Sequence, residues 1–178
     1  MPTEQECCYM AAVLDMEGYV GILKHVRKDR RLKDNYQPVI IISQTKHSWH
    51  ESMQSLWGGT IRENYTHTRN HPKWARSWNL IFYSDEMASV LKTVRLYLKL
   101  KGDQADLCLQ LHERITQART KKKHTRWTAL TPEERKIRQD LYKRCKFLNQ
   151  KGPRHDQLKL EMTPLDIAQP SFNFEAGT

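Results

Sequence analysis

The chain has 178 residues, enough for one compact core with extensions and too few for two domains of ordinary size. Its 30 Lys and Arg residues outnumber the 20 Asp and Glu residues, and the formal net charge of +10 favours a polyanionic partner such as nucleic acid. No apolar run approaches the roughly 18 residues of a membrane span, and the acidic N-terminus is unlike a signal peptide, so we expect an intracellular protein with no membrane partner.

The N-terminal residues predict one helix followed by a β-hairpin. Residues 4–16 combine helix-forming residues with apolar positions at helical spacing, and Gly18 ends the pattern. Residues 19–27 and 36–44 are rich in Val and Ile, and the polar, charged residues between them suit a hairpin connection. The first elements are therefore a helix and two antiparallel strands.

A second helix and a second hairpin follow. Residues 47–56 can form a helix, which Gly58 and Gly59 end. Residues 60–65 and 74–83 predict two more strands, joined by a loop that contains His, Asn and Pro. The two hairpins can form one antiparallel sheet.

Two amphipathic helices are predicted after the second hairpin. Asp85 is expected to cap a helix over residues 86–98, and residues 104–115 carry apolar side chains on one stripe. The order α-β-β-α-β-β-α-α predicts an α+β fold in which helices cover one face of an antiparallel sheet. The other face, basic and without a helix, is a saddle that suits duplex DNA.

The C-terminal part of the chain lies outside this core, which is assigned to residues 1–118. Residues 119–152 hold a basic segment and a last helix, with Thr131 as its cap, Pro132 as its first residue and Gly152 at its end. Residues 153–178 lack a sustained period and predict a loosely ordered tail.

One segment of the first helix resembles a known signature. The residues from Met10 to Gly18 read MAAVLDMEG and are similar to the motif of the LAGLIDADG homing endonucleases. The residues from Tyr97 to Lys101, followed by Gln104-Ala105, resemble the segment that carries an active-site lysine in that family. Together with the order of helices and strands, the resemblance covers residues 4–118.

Three positions of the motif depart from the family. Met10 replaces the usual Leu, and Ala12 replaces a Gly, which loosens the contact between two motif helices without blocking it. Glu17 replaces the Asp that binds metal, which keeps the negative charge and adds one methylene.

The resemblance implies an active site at the end of this helix. It assigns Glu17 and the backbone carbonyl of Met16 as ligands of Mg²⁺, for which Mn²⁺ should substitute, because a divalent cation activates water and neutralises charge in phosphodiester hydrolysis. It makes Asp15 mainly structural, organising the helix end. Lys101 is expected to stabilise the phosphate charge or orient the nucleophilic water, and Gln44 to arrange solvent around the metal. These four side chains, Glu17, Asp15, Lys101 and Gln44, form the predicted catalytic set.

The chain holds one copy of the motif and so supplies half of such a site. In the family, two motif helices pack side by side and bring two acidic residues to the central phosphates. Nothing downstream repeats the small-residue run followed by acid-x-acid-Gly. We therefore expect a homodimer whose interface contains Ala11, Ala12 and Asp15.

Polar side chains on one face of the strands are candidates for DNA contact. Alternation along the second strand puts Asn35, Gln37 and Ser43 on the same face. Amide and guanidinium groups pair with base edges or bind phosphates. The full set of expected DNA contacts is Arg27, Lys28, Arg30, Arg31, Asn35, Gln37, Ser43, Arg62, Asn64, Arg69 and Arg76.

The leading functional expectation is a site-specific homing endonuclease. As the resemblance implies, it would cut a long pseudo-palindromic DNA duplex across the minor groove and leave short 3′ overhangs. The alternative is a non-catalytic DNA- or RNA-binding protein of the same fold, such as an intron maturase or a regulator. An RNA-binding structural protein would fit the charge but leaves the acidic motif without a role.

Overall fold

The computed structural model describes residues 2–25, 35–64, 75–120 and 131–150. The elements in chain order are α1 (Glu4–Met16), β1 (Gly18–His25), β2 (Asn35–Gln44), α2 (His47–Trp57), β3 (Thr60–Glu63), β4 (Trp78–Tyr83), α3 (Ser84–Val94), α4 (Gly102–Thr120) and α5 (Pro132–Leu148). This is the predicted order of helices and strands. None of the described helices has the length and hydropathy needed to cross a membrane.

Some sequence predictions concern residues outside the described ranges. They are the predicted DNA contacts Arg27, Lys28, Arg30, Arg31 and Arg69, and the tail over residues 153–178. The basic segment before α5 lies there as well. These expectations stay predictions.

Capping side chains fix the starts of the first and last helices. Glu6 donates its N–H to Oγ1 of Thr3 at 3.3 Å, and its carboxylate accepts from the N–H of Thr3 at 2.6 Å, so α1 begins with a capping box. At the start of α5, Oγ1 of Thr131 accepts from the N–H of Glu134 at 3.2 Å, and Pro132 is the first helical residue. The start of α5 is as predicted.

Two boundaries near the second hairpin differ from the prediction. β4 begins at Trp78 rather than Trp74. α3 begins at Ser84, so Asp85 lies in its first turn and does not cap it; the cap position is Tyr83, whose side chain makes no capping hydrogen bond. The physical reason is that the strand passes directly into the helix, which leaves no loop residue to act as a cap.

Two helices end earlier than predicted. α3 ends at Val94, because the residues after it turn towards the end of α1. α5 ends at Leu148 instead of Gly152. There the side-chain amide of Asn149 donates to the carbonyl of Val20 at 3.0 Å, which ties the end of α5 to β1.

The four strands form one antiparallel sheet in the order β1-β2-β4-β3. Val20 lies opposite Ile40, which lies opposite Phe82, and all three are fully buried on the face that the helices cover. The core combines them with residues of α1, α3, α4 and α5, such as Leu14 and Leu111. The predicted α+β fold, with helices on one face of the sheet, is confirmed.

The opposite side of the sheet is called the open face. By strand alternation and register it consists of Tyr19, Gly21, Leu23, His25, Asn35, Gln37, Val39, Ile41, Ser43, Thr60, Arg62, Asn79, Ile81 and Tyr83. Val39 and Ile81 are buried but do not belong to the main core. The ring of Tyr19 lies across Gly21, where a Cβ atom would come within 2.5 Å of it. This part of the open face is therefore a small apolar layer between polar ends.

Candidate active site

The end of α1 presents a carboxylate to solvent. Glu17 follows the last helical residue and donates its N–H to the carbonyl of Val13 at 2.9 Å. A Cβ atom on Gly18 would lie 2.9 Å from Cα of Leu14, so only glycine fits where the chain passes from α1 into β1. The side chains of Met16 and Glu17 are exposed at this turn.

Gln44 lies beside this carboxylate. It is the last residue of β2 and is half-buried, and its Nε2 donates a short hydrogen bond to Oε2 of Glu17. Two of the four predicted catalytic side chains are thus in direct contact. The hydrogen bond fixes the direction in which Glu17 presents its other oxygen.

Asp15 joins the end of α1 to the segment that follows α3. Its two carboxylate oxygens accept from the backbone N–H groups of Lys99 at 2.7 Å and Lys101 at 2.9 Å. Because both oxygens of this carboxylate accept hydrogen bonds from the backbone, its contact is structural. This geometry fits the structural part that the sequence assigned to Asp15.

Lys101 completes the same junction from the other direction. Its ammonium group donates to the carbonyls of Leu14 at 2.5 Å, Asp15 at 3.0 Å and Gly18 at 2.5 Å. An ammonium has three N–H donors, and these carbonyls use all of them. The carbonyls at the end of a helix lack partners within the helix and carry partial negative charge, which explains the attraction.

This position of Lys101 differs from the sequence expectation. A role on the phosphate or on the nucleophilic water needs a free N–H group, and in this geometry none is left. Sequence reasoning found the residue but assigned it a partner outside the chain. The contacts join residues more than 80 positions apart, which no local pattern indicates.

The guanidinium of Arg95 ties the residues between α3 and Lys101 to α4. Arg95 donates through Nε and Nη2 to the two carboxylate oxygens of Asp106, at 2.6 and 2.7 Å. The hydrogen bond to Asp106 raises the pKa of Arg95, so the group stays charged. Gly102 begins α4 where a Cβ atom would lie 2.9 Å from this guanidinium. The segment is thus anchored at α4 and at α1.

The donors at the end of α1 suit part of a magnesium site. Glu17 supplies an exposed carboxylate, and the carbonyls taken by Lys101 do not include that of Met16. Mg²⁺ prefers oxygen ligands and is commonly held by one or two protein groups together with water and phosphate oxygens. Within the described ranges no three His, Cys, Asp or Glu side chains form a metal cluster. At the end of α1 the described residues thus supply one carboxylate and one backbone carbonyl.

The residues predicted for the dimer interface differ in exposure. Ala11 is 1% exposed and packs in the chain's own core, so its assignment to the interface is corrected. The reason is that α1 turns this position towards the sheet. Asp15 is half-buried and bonded as above, while Ala12 is exposed. Sequence reasoning missed that Cys8 and Met16 flank Ala12 at helical spacing on the exposed side of α1.

The open face brings together four of the predicted DNA contacts, namely Asn35, Gln37, Ser43 and Arg62. The other two described candidates lie beside β3 and β4. Asn64 donates its N–H to the carbonyl of Ser77 at 2.8 Å, and Arg76 lies 3.9 Å from the carboxylate of Glu63.

Two further polar residues of the open face were missed. Asn79 accepts a hydrogen bond from the hydroxyl of Ser43 at 2.6 Å, and the imidazole of His25 contacts the amide of Gln37 at 2.8 Å. The alternation of β4, counted from its true start at Trp78, would have identified Asn79.

The fold was compared with solved structures. The homing endonuclease I-CvuI, crystallised in complex with a DNA target, matches with a TM-score of 0.66 and 18% identity over 90% of this chain and 97% of that chain. The archaeal intron-encoded homing endonuclease I-Vdi141I, complexed with DNA, has a TM-score of 0.64 and 14% identity over 84% of this chain and 87% of that chain. The LAGLIDADG homing endonuclease I-SmaMI, bound to cleaved DNA, has a TM-score of 0.56 and 12% identity over 80% of this chain and 45% of that chain.

Sequence comparison alone does not find this relationship. No model of a protein family matches the sequence, and a search of the curated proteins finds no match. At identities of 11 to 18% the likeness to the solved structures is one of fold. The chain has the fold of the LAGLIDADG homing endonucleases, and the segment that resembles their signature forms the second half of α1 and the turn into β1.

Proposed function

We propose that the protein is a site-specific endonuclease for double-stranded DNA that requires a divalent metal and acts as a homodimer. The observation that carries this proposal is the exposed carboxylate of Glu17, oriented by Gln44 at the end of α1. The fold supports it, because the similar structures of I-CvuI and I-Vdi141I are homing endonucleases in complex with DNA.

The residues of the chain have different roles at this site. Glu17 and the carbonyl of Met16 would hold Mg²⁺, which supplies charge neutralisation and an activated water for phosphodiester hydrolysis. Gln44 orients the carboxylate, while Asp15 and Lys101 hold the helix end to which both ligands belong. Such positioning supports catalysis because small displacements of a reacting group are costly in rate.

A second copy of the chain would complete the set of ligands. Each chain contributes one Glu17, and a two-fold dimer brings two copies of α1 together through the strip of Cys8, Ala12 and Met16. The coverage of the matches supports this arrangement, since the chain spans 97% of I-CvuI but only 45% of I-SmaMI. A two-fold dimer reads a pseudo-palindromic site, with one open face on each half.

Replacing Glu17 by Gln tests the proposal. The amide keeps the size of the side chain but loses the charge that holds metal, so cleavage should be abolished and DNA binding retained. The assay compares cutting and binding of duplexes that the wild-type protein selects from a randomised library, with Mg²⁺. Glu51→Gln, at an exposed carboxylate of α2, is the matched control and should cut normally. A Glu17→Gln variant that cuts at the wild-type rate would remove the assigned site.

One observation favours a second candidate, a non-catalytic nucleic-acid-binding protein. The ammonium of Lys101 is fully used by carbonyls of its own chain. A protein that had lost cleavage could keep this junction for stability alone. Wild-type protein that binds a selected duplex tightly and leaves it intact with both Mg²⁺ and Mn²⁺ would establish this alternative.

A further inference from the structure

The sheet has a gap where β4 ends. The pairing between β2 and β4 stops at Val39, which lies opposite Tyr83, the final residue of β4. The chain then passes directly into α3. The outer part of β2, from Asn35 to Pro38, pairs with β1 on one edge and borders a cavity of about 170 Å³. The cavity is also lined by Ser84, His112, Ile115 and Arg138, which come from α3, α4 and α5.

Arg138 is the buried charge of this cavity. The residue is only 5% exposed, and its Nε donates to Oε1 of Glu134 at 2.8 Å. Its two Nη atoms make no hydrogen bond within the part of the chain that the structure describes. The Nη atoms are not among the fully buried polar atoms without a partner, so they open into the cavity, where water or an anion can accept from them. The place of Arg138 in the lining lets an acceptor reach it from the cavity.

Arg138 shares the carboxylate of Glu134 with a second guanidinium, so these three groups together carry one positive charge. Glu134 also accepts from Nη2 of Arg114 at 2.6 Å, so one carboxylate faces two guanidinium groups. Asp85, in the first turn of α3, lies 2.8 Å from the imidazole of His112, and its side chain is 87% exposed, so water screens its charge. An anion in the cavity would balance the charge that Glu134 does not.

The first turn of α3 adds backbone N–H donors at the same place. The helix has 11 residues, and the side chain of Tyr83 at the cap position accepts no hydrogen bond from its first N–H groups. Ser84, the first helical residue, has φ of 48°, and it is the one non-glycine residue with positive φ in the described ranges. Such backbone conformations persist where the surrounding structure imposes them, and they occur at binding sites. Helix N-termini bind phosphate groups through these N–H groups.

We propose that this cavity is an oxyanion site formed by Arg138 and the first turn of α3, and that its occupant is a backbone phosphate of the bound DNA. This assignment of the occupant rests on the proposed function. Asn35 and Gln37 belong to the open face and also line the cavity, so a duplex on the open face passes its entrance. The site would hold the outer part of each half-site in register.

The test uses a selected duplex in which single phosphates are replaced, one position at a time, by neutral methylphosphonates. For wild-type protein, the methylphosphonate at one position in each half-site should lower affinity several-fold. For Arg138→Met, the methylphosphonate at that position should not lower affinity any further. The slope of log affinity against log salt should fall by about 0.9 for each phosphate contact removed. Arg144→Met removes an exposed charge from the same helix and should keep the wild-type pattern of positions. An Arg138→Met pattern identical to wild type would overturn the assignment.

A second measurement uses inorganic phosphate alone and does not depend on DNA. At constant ionic strength, phosphate should raise the melting temperature of the wild-type protein. The increase should be smaller for Arg138→Lys and absent for Arg138→Met. No response in the wild type would refute the oxyanion site. If phosphate raises the melting temperature of the wild type but no methylphosphonate position acts through Arg138, then DNA phosphate is not the occupant. A protein that responds to phosphate but binds no duplex would keep the site and contradict the proposed function.

Discussion

Lys101 illustrates how much a single residue contributes at the junction between α1 and the segment after α3. Its ammonium donates to two carbonyls at the end of α1 and one at the start of β1, and the carboxylate of Asp15 accepts two hydrogen bonds from the segment that holds Lys101. Because the two residues bind each other's backbone, the position of Glu17 depends on both. The junction therefore links stability directly to the geometry of the site.

Replacing Lys101 by Met should lower the free energy of unfolding by roughly 2–3 kcal/mol, because hydrogen bonds from a charged donor are lost and helix-end carbonyls are left without partners. Lys99→Met is the matched control: this neighbouring side chain is exposed, and its loss should change stability by less than about 0.5 kcal/mol. Urea denaturation of both variants measures the difference. Equal stability of the two variants would show that the three contacts contribute nothing.

The sequence named candidate residues for the site but not all the groups that they contact. The motif identified Glu17, Asp15 and Lys101, since their order along the chain can be compared with a family. It did not predict that Lys101 binds its own helix, because that contact depends on how α3 ends. Nor did it separate Ala11 from Ala12, whose exposure is decided by the direction in which α1 faces the sheet.

Among the elements, α5 is held on α4 by the carboxylate of Glu134. Burial would raise the pKa of Glu134, but hydrogen bonds from Arg114 and Arg138 outweigh it and hold the pKa below its usual 4.5. A lowered pKa in the folded protein means that the contribution to stability is present above about pH 4.5 and is lost as pH falls through the lowered value.

Glu134→Gln should therefore destabilise the protein at pH 7, by roughly 1–2 kcal/mol for the loss of charge-assisted hydrogen bonds, and much less near pH 3. Glu133→Gln, at the exposed neighbour, should change stability little at either pH. Thermal unfolding of each variant and of the wild type, at pH 7 and near pH 3, measures the loss of stability at each pH. A difference between wild type and Glu134→Gln that does not shrink on acidification would contradict the assigned network.

In the proposed homodimer, the two chains meet at the exposed side of α1. Ala12→Glu should leave the fold intact, since this side chain points to solvent, but it would bury an unpaired charge between two copies of α1. We expect a monomer by light scattering and loss of double-strand cutting. Gln139→Glu places the same charge on an exposed position of α5 and should remain dimeric and active. An Ala12→Glu dimer with full activity would mean that α1 is not the contact.

Element order and strand faces were predictable because hydrophobic periodicity and turn residues are local. The alternation of β2 placed Asn35, Gln37 and Ser43 on one face, as found. The start of α3 was not predictable, since β4 passes into the helix through the left-handed backbone of Ser84, which no residue type indicates. Boundaries set by contacts between distant segments need the folded chain.

In the proposed function, each whole chain is one half of a cutting site on DNA. The net charge of +10 supports binding to a polyanion, and among the described residues Arg62 contributes positive charge on the open face and Arg138 at the cavity. The sequence holds one copy of the motif, and the described helix that carries it leads to one exposed acidic residue, Glu17. The number of chains with an intact Glu17 that one double-strand cut needs is therefore the quantity to measure.

That number is measured by mixing wild-type protein with Glu17→Gln at constant total concentration, after unfolding and refolding the two together so that subunits combine at random. If each double-strand cut needs two chains with an intact Glu17, activity should follow the square of the wild-type fraction, and an equal mixture should keep about one quarter of the activity. A linear decline, with about one half of the activity in the equal mixture, would contradict the account and make a single chain sufficient.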